Sequence, residues 1–505
     1  MKNILGISAG FHDAGLSVIS PAGDILFASH AERFSKKKHD AEMCTHMVNY
    51  AMQFGEVDTI AYYERPWLKN LRMVRSGQGA DSPWQLKNVL NKHLFFHPKL
   101  VNNANLKAFG HHLSHAAAGF QTSPFDDATV LVIDAIGEFD TVSVWNAWYD
   151  KKGNAQYKLR WRMKYPDSIG MFYSAMTKFV GLRPMDEEYI LMGMAAYGKN
   201  IEVVGKMADR FLAVPDPSHE PFTFKDNLHI GVDTDWIQKE HISDFDIAMA
   251  TQEILEWQLH RIMLKSMQYR NSGNLVYMGG VALNCLANRA LGRYYKDVWI
   301  MPNPGDAGSS LGAAALAYKK KLNWKDAYLG YNIEGEYPVK PIIDELIVNK
   351  IVGVANGRAE FGPRALGNRS LLADPRGHDI KDKVNEIKRR QQFRPFAPVI
   401  LEEHVREYFN MPTGFNTSPY MQVVAKCKRP DEFPAIIHAD GTSRVQTVAN
   451  DGSGIRKLLE AWKVYTGCPM LLNTSLNIRG EPMVNDVSDA KRFEDLYKVK
   501  VFTSV

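Results

Sequence analysis

An α/β protein of two domains, the first built from a repeated unit, is predicted from three features of this 505-residue sequence. The length exceeds what one hydrophobic core usually supports. The same strand, turn and hairpin order occurs at residues 3–29 and again at 129–161. A third strand, 274–278, ends in Gly279-Gly280 and leads into a helix-compatible segment.

The elements follow in order. Residues 3–8 are apolar and Gly10-Phe11-His12-Asp13 is a turn. Residues 15–20 then alternate, Pro21-Ala22-Gly23-Asp24 reverses the chain, and 25–29 return. In the second unit 129–133 reads as a buried strand and 134–138 as a turn. Residues 141–148 alternate, Lys151-Lys152-Gly153-Asn154 turns, and 156–161 return. Two such halves are the plan of the actin/hexokinase class, in which paired β-turns grip nucleotide phosphates and helices cover the sheets. The paired glycines would let a nucleotide lie against bare amides, and an ordinary tight strand–helix turn has the same signature. Leu255, Leu259, Ile262, Met263 and Met267 fall at helical spacing and predict a core helix. Lys319-Lys320-Lys321 marks a solvated helix end, and 333–341 reads as a linker. The expected domains are 1–335 and 340–505. Residues 67–100 and 200–245 read as insertions that shape a substrate pocket.

Composition narrows the function. A hydrophobic share of 45% with 23% charged residues is that of a soluble globular protein. The net charge of +5 permits anionic ligands but gives no signal for duplex nucleic acid. No apolar run approaches a membrane span, and no secretory h-region follows Met1. Four scattered cysteines (Cys44, Cys285, Cys427 and Cys468) fit a reducing cytoplasm, the expected location.

Two clusters carry chemistry. In Gly110-His111-His112-Leu113-Ser114-His115, His111 and His115 are spaced i, i+4 and project from one helical face as two metal ligands would. His112 and His115 are the competing pair, and an isolated histidine pair is more often structural. Asp306, in the Gly-rich turn after Asn303-Pro304-Gly305, is the candidate third ligand. Two imidazoles and one carboxylate would leave coordination sites open. The second cluster begins at Gly357-Arg358-Ala359-Glu360-Phe361-Gly362-Pro363-Arg364-Ala365-Leu366-Gly367-Asn368-Arg369. Guanidinium forks on a backbone stiffened by Gly and Pro suit bidentate capture of a small anion. Lys388, Arg390, Arg394 before Pro395, and Arg444 extend the set. Arg364, Arg394 and Arg444 are the better candidates, while Arg358 and Arg369 read as structural.

These motifs, in this order along nearly the whole chain, resemble the O-carbamoyltransferases of the nodulation and antibiotic-tailoring (NodU/CmcH) type. The resemblance rests on Gly10-Phe11-His12-Asp13, Glu32-Arg33-Phe34, Lys37-Lys38-His39-Asp40 and the His111/His115 helix. Met192-Gly193-Met194-Ala195-Ala196-Tyr197-Gly198, the segments 279–284, 303–306, 360–370, 393–398 and 440–448, and Leu471-Leu472-Asn473-Thr474-Ser475 complete it. It implies an actin-like (ASKHA) N-terminal domain and a YrdC-like C-terminal domain. It implies that carbamoyl phosphate is cleaved to carbamate in the second domain. Carbamoyl-adenylate then forms from ATP in the first, and the carbamoyl group passes to a hydroxyl. Carried over by motif, Arg364, Lys388, Arg394, Arg444 and Asn473 hold carbamoyl phosphate. His111, His115 and Asp306 hold a divalent metal, iron(II) on the resemblance. Lys38, Asp134, Gly137, Gly279, Gly280, Asn284 and Asn303 surround the nucleotide, with Asp134 an alternative holder of a magnesium–phosphate complex. His12 faces the acceptor hydroxyl as its base.

The chain departs from the family pattern at Ile190, where lysine is frequent, and at Arg390-Gln391, where Arg-Glu is frequent. The stretch from Glu481-Pro482 to Val505 is short, so an abbreviated last helix and strand are expected. The acceptor class stays open among sugars, small natural products and hydroxymethyl-pyrimidine nucleotides, and a homodimer is left open too. Two other readings stand beside this one. Threonylcarbamoylation of tRNA is disfavoured by the fused second domain and the weak basic bias. An actin-like, nucleotide-dependent assembly protein would not need the metal triad or the arginine cluster.

Overall fold

The computed structural model describes residues 2–79, 83–213, 221–232 and 242–504. Parts of the two expected insertions, 80–82, 214–220 and 233–241, lie outside the described residues, as do Met1 and Val505.

The first half holds two five-stranded sheets. One contains β1 (Asn3–Ser8), β2 (Gly15–Ile19), β3 (Ile25–His30), β4 (Val57–Tyr62) and β5 (Asn105–Ala108), in the order β3-β2-β1-β4-β5. The other contains β6 (Asp127–Gly137), β7 (Asp140–Tyr149), β8 (Ala155–Lys164), β9 (Asn274–Met278) and β10 (Asp297–Trp299), in the order β8-β7-β6-β9-β10. In each sheet three antiparallel strands are followed by two parallel ones. The duplication read from the hairpins is therefore a duplication of topology. Two helices, His111–Thr122 and Ser309–Tyr318, pack against each other beside the sheets. Ala116, Ala117, Ala118, Ala313, Ala314 and Ala315 are all buried. Such short side chains let the helix backbones approach closely. The predicted core helix is Asp244–Met267, and the helix before the lysine run ends at Tyr318 with Lys319 in the left-handed conformation.

One expectation is revised at β6. Residues 134–138 do not form a turn by themselves, because the strand runs on to Gly137 and its register shifts between Ile133 and Gly137. A bulge of this kind re-aims a side chain, and the one concerned is Asp134.

The second half has its own core around a six-stranded sheet. Its order is Gln446–Val448, Ala397–Leu401, Met470–Ser475, Arg369–Ala373, Ile351–Ala355 and Val501–Phe502. Trp462, on the helix Gly454–Thr466, is fully buried there. The linker expected at 333–341 is tied at both ends. Tyr328–Ile333 pairs with Gly357–Glu360, and the helix Val339–Asn349 begins within the stretch. The last strand has only two residues, but the last helix, Val487–Tyr497, makes three turns and carries a capping box at Asp486.

Candidate functional site

The histidine helix brings its i, i+4 pair together. The Nε2 atoms of His111 and His115 lie 3.1 Å apart, and each is 3.2 Å from Oδ1 of Asp306. Asp134, re-aimed by the bulge, joins them at 3.1 Å from His111 and 3.4 Å from His115. The site is thus two imidazoles with two carboxylates, one more than the triad expected. His112 turns away and bonds Ser143 Oγ at 2.7 Å, which settles the choice between the pairs in favour of His111 and His115. Burial and the neighbouring His111 push its pKa down to about 3. Gly137 makes the approach possible, because a Cβ there would lie 2.5 Å from the rings of His111 and His112.

Electrostatics agree with a cation site. Burial opposes charge on Asp134 and Asp306, but the imidazoles outweigh it and hold both carboxyls below their usual range. Burial likewise opposes charge on His111, and Asp306 and Asp134 outweigh it, so its pKa is raised. Protonation and a bound cation are alternative ways to balance the same two carboxylates. Four lone-pair atoms within 4.8 Å of one another fit a divalent ion. Buried Glu64 stands 3.7 Å from His111 Nδ1 and is itself paired with Lys69 at 2.6 Å. Carboxylates behind metal-bound histidines hold such a place.

A chain of ion pairs leads away from the cluster. His12 Nε2 is 3.6 Å from Asp306 Oδ2, and its Nδ1 donates to Asp13 at 2.9 Å. Asp13 also accepts from His39, whose Nε2 is 2.9 Å from Asp186, and Asp186 accepts from Lys38. Lys38 therefore bonds a carboxylate rather than standing free. Burial opposes charge on His39, but its two carboxylates outweigh it and raise its pKa to about 10.

The remaining nucleotide candidates line the β9 turn. Gly279 has φ +92° and its backbone N–H donates to Pro304, while a Cβ there would come within 2.1 Å of Ile133 O. The Gly280 N–H points at Asp134 Oδ1 (3.3 Å). Asn284 is occupied internally, caps the following turn through Ala287 N–H and exchanges bonds with Gln252. Asn303 bonds His30 at 2.8 Å.

The arginine stretch divides by role. Arg369 is fully buried and donates to the carbonyls of Tyr331, Asn356, Gly357, Asn368 and Asn485. Arg358 donates to the carbonyls of Leu26, Leu329 and Gly330. Both tie backbone together. Glu360 accepts from the N–H groups of Leu366, Asn368 and Arg369 and so fixes the loop between them. Arg364, in that loop, reaches Leu283 O at 3.4 Å and otherwise lies near Arg444, Cys285 and Tyr189.

Its neighbours are Arg444 and, beyond it, Arg394, Arg390 and Lys388. Among the described residues none of these five is in an ion pair with a carboxylate. Arg394 stacks over Tyr189 (4.9 Å) and Arg390 over Phe396 (4.2 Å). Burial and then Arg444 push Arg364 down to about 9. Burial and then Arg390 push Lys388 well below the usual lysine range. Lys388 is held by the carbonyls of Ser475 (2.6 Å) and Asn477 (3.2 Å). Asn473 spends both amide hydrogens on Ala365 O and Gln446 Oε1, leaving a buried Oδ1 with no partner. Glu64 and Tyr189 were not candidates from the sequence, and Arg390 was read only as a further cation of the same stiff stretch. Ile190 itself is buried in the apolar core, and the adjacent Tyr189 meets the arginines instead.

Comparison with known proteins is consistent along the chain. The family model for the carbamoyltransferase N-terminus matches residues 3–315, and that for the carbamoyltransferase C-terminus matches 343–503. Protein sll1178 of Synechocystis sp. is 33% identical, covering 97% of this chain and 94% of its own. Protein MJ1051 of Methanocaldococcus jannaschii is 31% identical, with 96% and 95% covered. Nodulation protein NolNO of Sinorhizobium fredii is 28% identical, with 97% and 78% covered. Among solved structures, component A of the Acidaminococcus fermentans (R)-2-hydroxyglutaryl-CoA dehydratase covers 63% of this chain and 98% of its own, at 15% identity and a TM-score of 0.35. The chain belongs to the carbamoyltransferase family and is a transferase enzyme.

Proposed function

We infer that this carbamoyltransferase is an ATP-dependent O-carbamoyltransferase with two reaction sites, an actin-like one in residues 1–335 and a YrdC-like one in 340–505. The observation that carries this reading is the set of five cations without a carboxylate partner among the described residues, Arg364, Lys388, Arg390, Arg394 and Arg444, set against the β9 loop through Arg364 and Leu283. Clustered, largely desolvated charge without a counter-ion is costly, so such a set calls for an anionic ligand.

Carbamoyl phosphate supplies it. Guanidinium groups neutralise the phosphate and the charge growing on the leaving oxygen. The free Oδ1 of Asn473 is the acceptor that the carbamoyl amide needs. Water adds, phosphate leaves and carbamate is released. Carbamate is unstable in water, which favours a short path to the first-half site. There the carbamate oxygen attacks the α-phosphorus of ATP and pyrophosphate leaves. The bare glycine backbone at Gly279 and Gly280, with Gly137 at the neighbouring turn, leaves room for the nucleotide phosphates beside the β9 turn. In the last step the acceptor oxygen bonds the carbamoyl carbon, the bond to AMP breaks, and AMP takes the electron pair. His12 Nε2 takes the hydroxyl proton, with Asp13 on Nδ1 orienting the ring and balancing its charge. His111, His115, Asp134 and Asp306 would hold a divalent ion, iron(II) on the family resemblance, which would supply Lewis-acid polarisation of oxygen. Magnesium would accompany ATP.

The test is incubation with carbamoyl phosphate and ATP while pyrophosphate and AMP are measured. Release of both that depends on carbamoyl phosphate supports the reading. Their absence, with candidate hydroxyl acceptors present, contradicts it.

A further inference from the structure

A cleft of about 890 Å³ opens on the N-terminal end of the histidine helix, between the helix Pro66–Arg75 and strands β7 and β8. His111 lines it, so it gives onto the two-histidine, two-carboxylate cluster. Its walls are unevenly charged. Arg65, Arg72 and Arg75 come from one side, and Arg162 and Lys164 from the other. The two acidic side chains present are already engaged. Asp140 faces Arg162 at 3.6 Å, and Glu138 accepts from the Arg65 backbone N–H at 2.7 Å.

The decisive residue is Arg72. It is only 7% exposed, it donates through Nη1 to Gln78, and its Nε has no partner among the described residues. A guanidinium buried that far with a free donor is poised for an acceptor that arrives with a ligand. Arg75 stands exposed in the next helical turn, three residues on and on the same face, and it makes no ion pair among the described residues. The rest of the wall is apolar and includes Leu68, Leu71 and Trp145.

We propose that this cleft is the acceptor site and that it takes a hydroxyl compound carrying a phosphate monoester. Arg72, Arg75 and Lys164 grip the phosphate, the apolar wall covers the body of the molecule, and the hydroxyl is presented toward the two-histidine, two-carboxylate cluster. His12 stands beside that cluster, with its Nε2 3.6 Å from Asp306 Oδ2. The proposal rests on the carbamoyl-transfer reading above and narrows its acceptor. It also separates this phosphate from that of ATP, whose place is at the β9 turn, and from carbamoyl phosphate at the second-half cations.

Phenyl phosphate and benzyl alcohol are suitable probes. Each is titrated by NMR into the full-length protein with ATP and carbamoyl phosphate saturating, so that both other phosphate sites are filled. Phenyl phosphate should bind, benzyl alcohol should bind at least about tenfold more weakly, and Arg75→Glu should remove that difference. Arg72→Lys, which keeps the charge but loses the fork, should weaken phenyl phosphate by a smaller factor. Equal binding of the two probes, no binding of phenyl phosphate, or displacement of phenyl phosphate by raising ATP would overturn the assignment. Pyrophosphate release by the wild-type protein, read with no acceptor present, judges the carbamoyl-transfer reading separately.

Discussion

The two charged clusters are near opposites. In the first half two carboxylates face two imidazoles, and that site is balanced by protons or by a metal cation. In the second half five cations face one another, and no carboxylate among the described residues answers them. The same contrast recurs within one loop. Arg369 spends its donors on five backbone carbonyls, whereas Arg364, five residues earlier, has one long contact. A buried arginine that is fully bonded builds the fold. One left half-buried among like charges is what an anion-binding site would need.

Replacing a member of the second cluster, and the histidine beside the first, tests the contrast most strongly. Arg394→Ala should lower carbamoyl phosphate cleavage by about 10²–10³ in turnover. Unchanged cleavage would remove Arg394 from the site. His12→Ala should abolish transfer to the acceptor while phosphate release from carbamoyl phosphate continues. Loss of both would end its role as the acceptor's base.

The two arginines of the loop sharpen the comparison through stability. Arg369→Ala should cost roughly 3 kcal/mol or more in chemical denaturation, since it strands buried carbonyls. Arg364→Ala should leave stability unchanged or raise it, because it removes like-charge repulsion. A reversed order would contradict the division of roles.

Proton linkage gives smaller effects. Lys388 is pushed well below its usual range by burial and Arg390, and an arriving dianion favours its charged form. Binding of carbamoyl phosphate should therefore take up protons, visible as a calorimetric heat that depends on the buffer. His39 is raised from 6.5 to about 10 in the fold. Its stabilising contribution is fully present below about 6.5 and is lost as pH rises through about 10. His39→Asn should flatten the fall of Tm across that window, and an unaltered slope would argue against the Asp13–His39–Asp186 chain.

Much of this was legible in the sequence because it is local. Hairpin turns, a helical histidine spacing and a Gly-rich strand end are all patterns of neighbours, and β1 and β9 have the bounds read from their sequence. The entry of Asp134 into the histidine cluster was not legible, since it depends on a register shift that no residue type announces. Tyr189 was likewise out of reach. Its stacking against Arg394 joins segments far apart in the chain, and only packing of the two halves creates it. Arg369 and Arg358 were read as structural from the start, and their backbone contacts bear that out.

The central claim is that two opposite sites act in sequence, and it is tested by following phosphate and pyrophosphate in parallel from ATP and carbamoyl phosphate. Wild type should release both. Arg394→Ala should release neither with carbamoyl phosphate, and Asp306→Asn should still release phosphate but no pyrophosphate. Pyrophosphate release that persists in Arg394→Ala, or loss of phosphate release in a folded Asp306→Asn protein, would contradict the account.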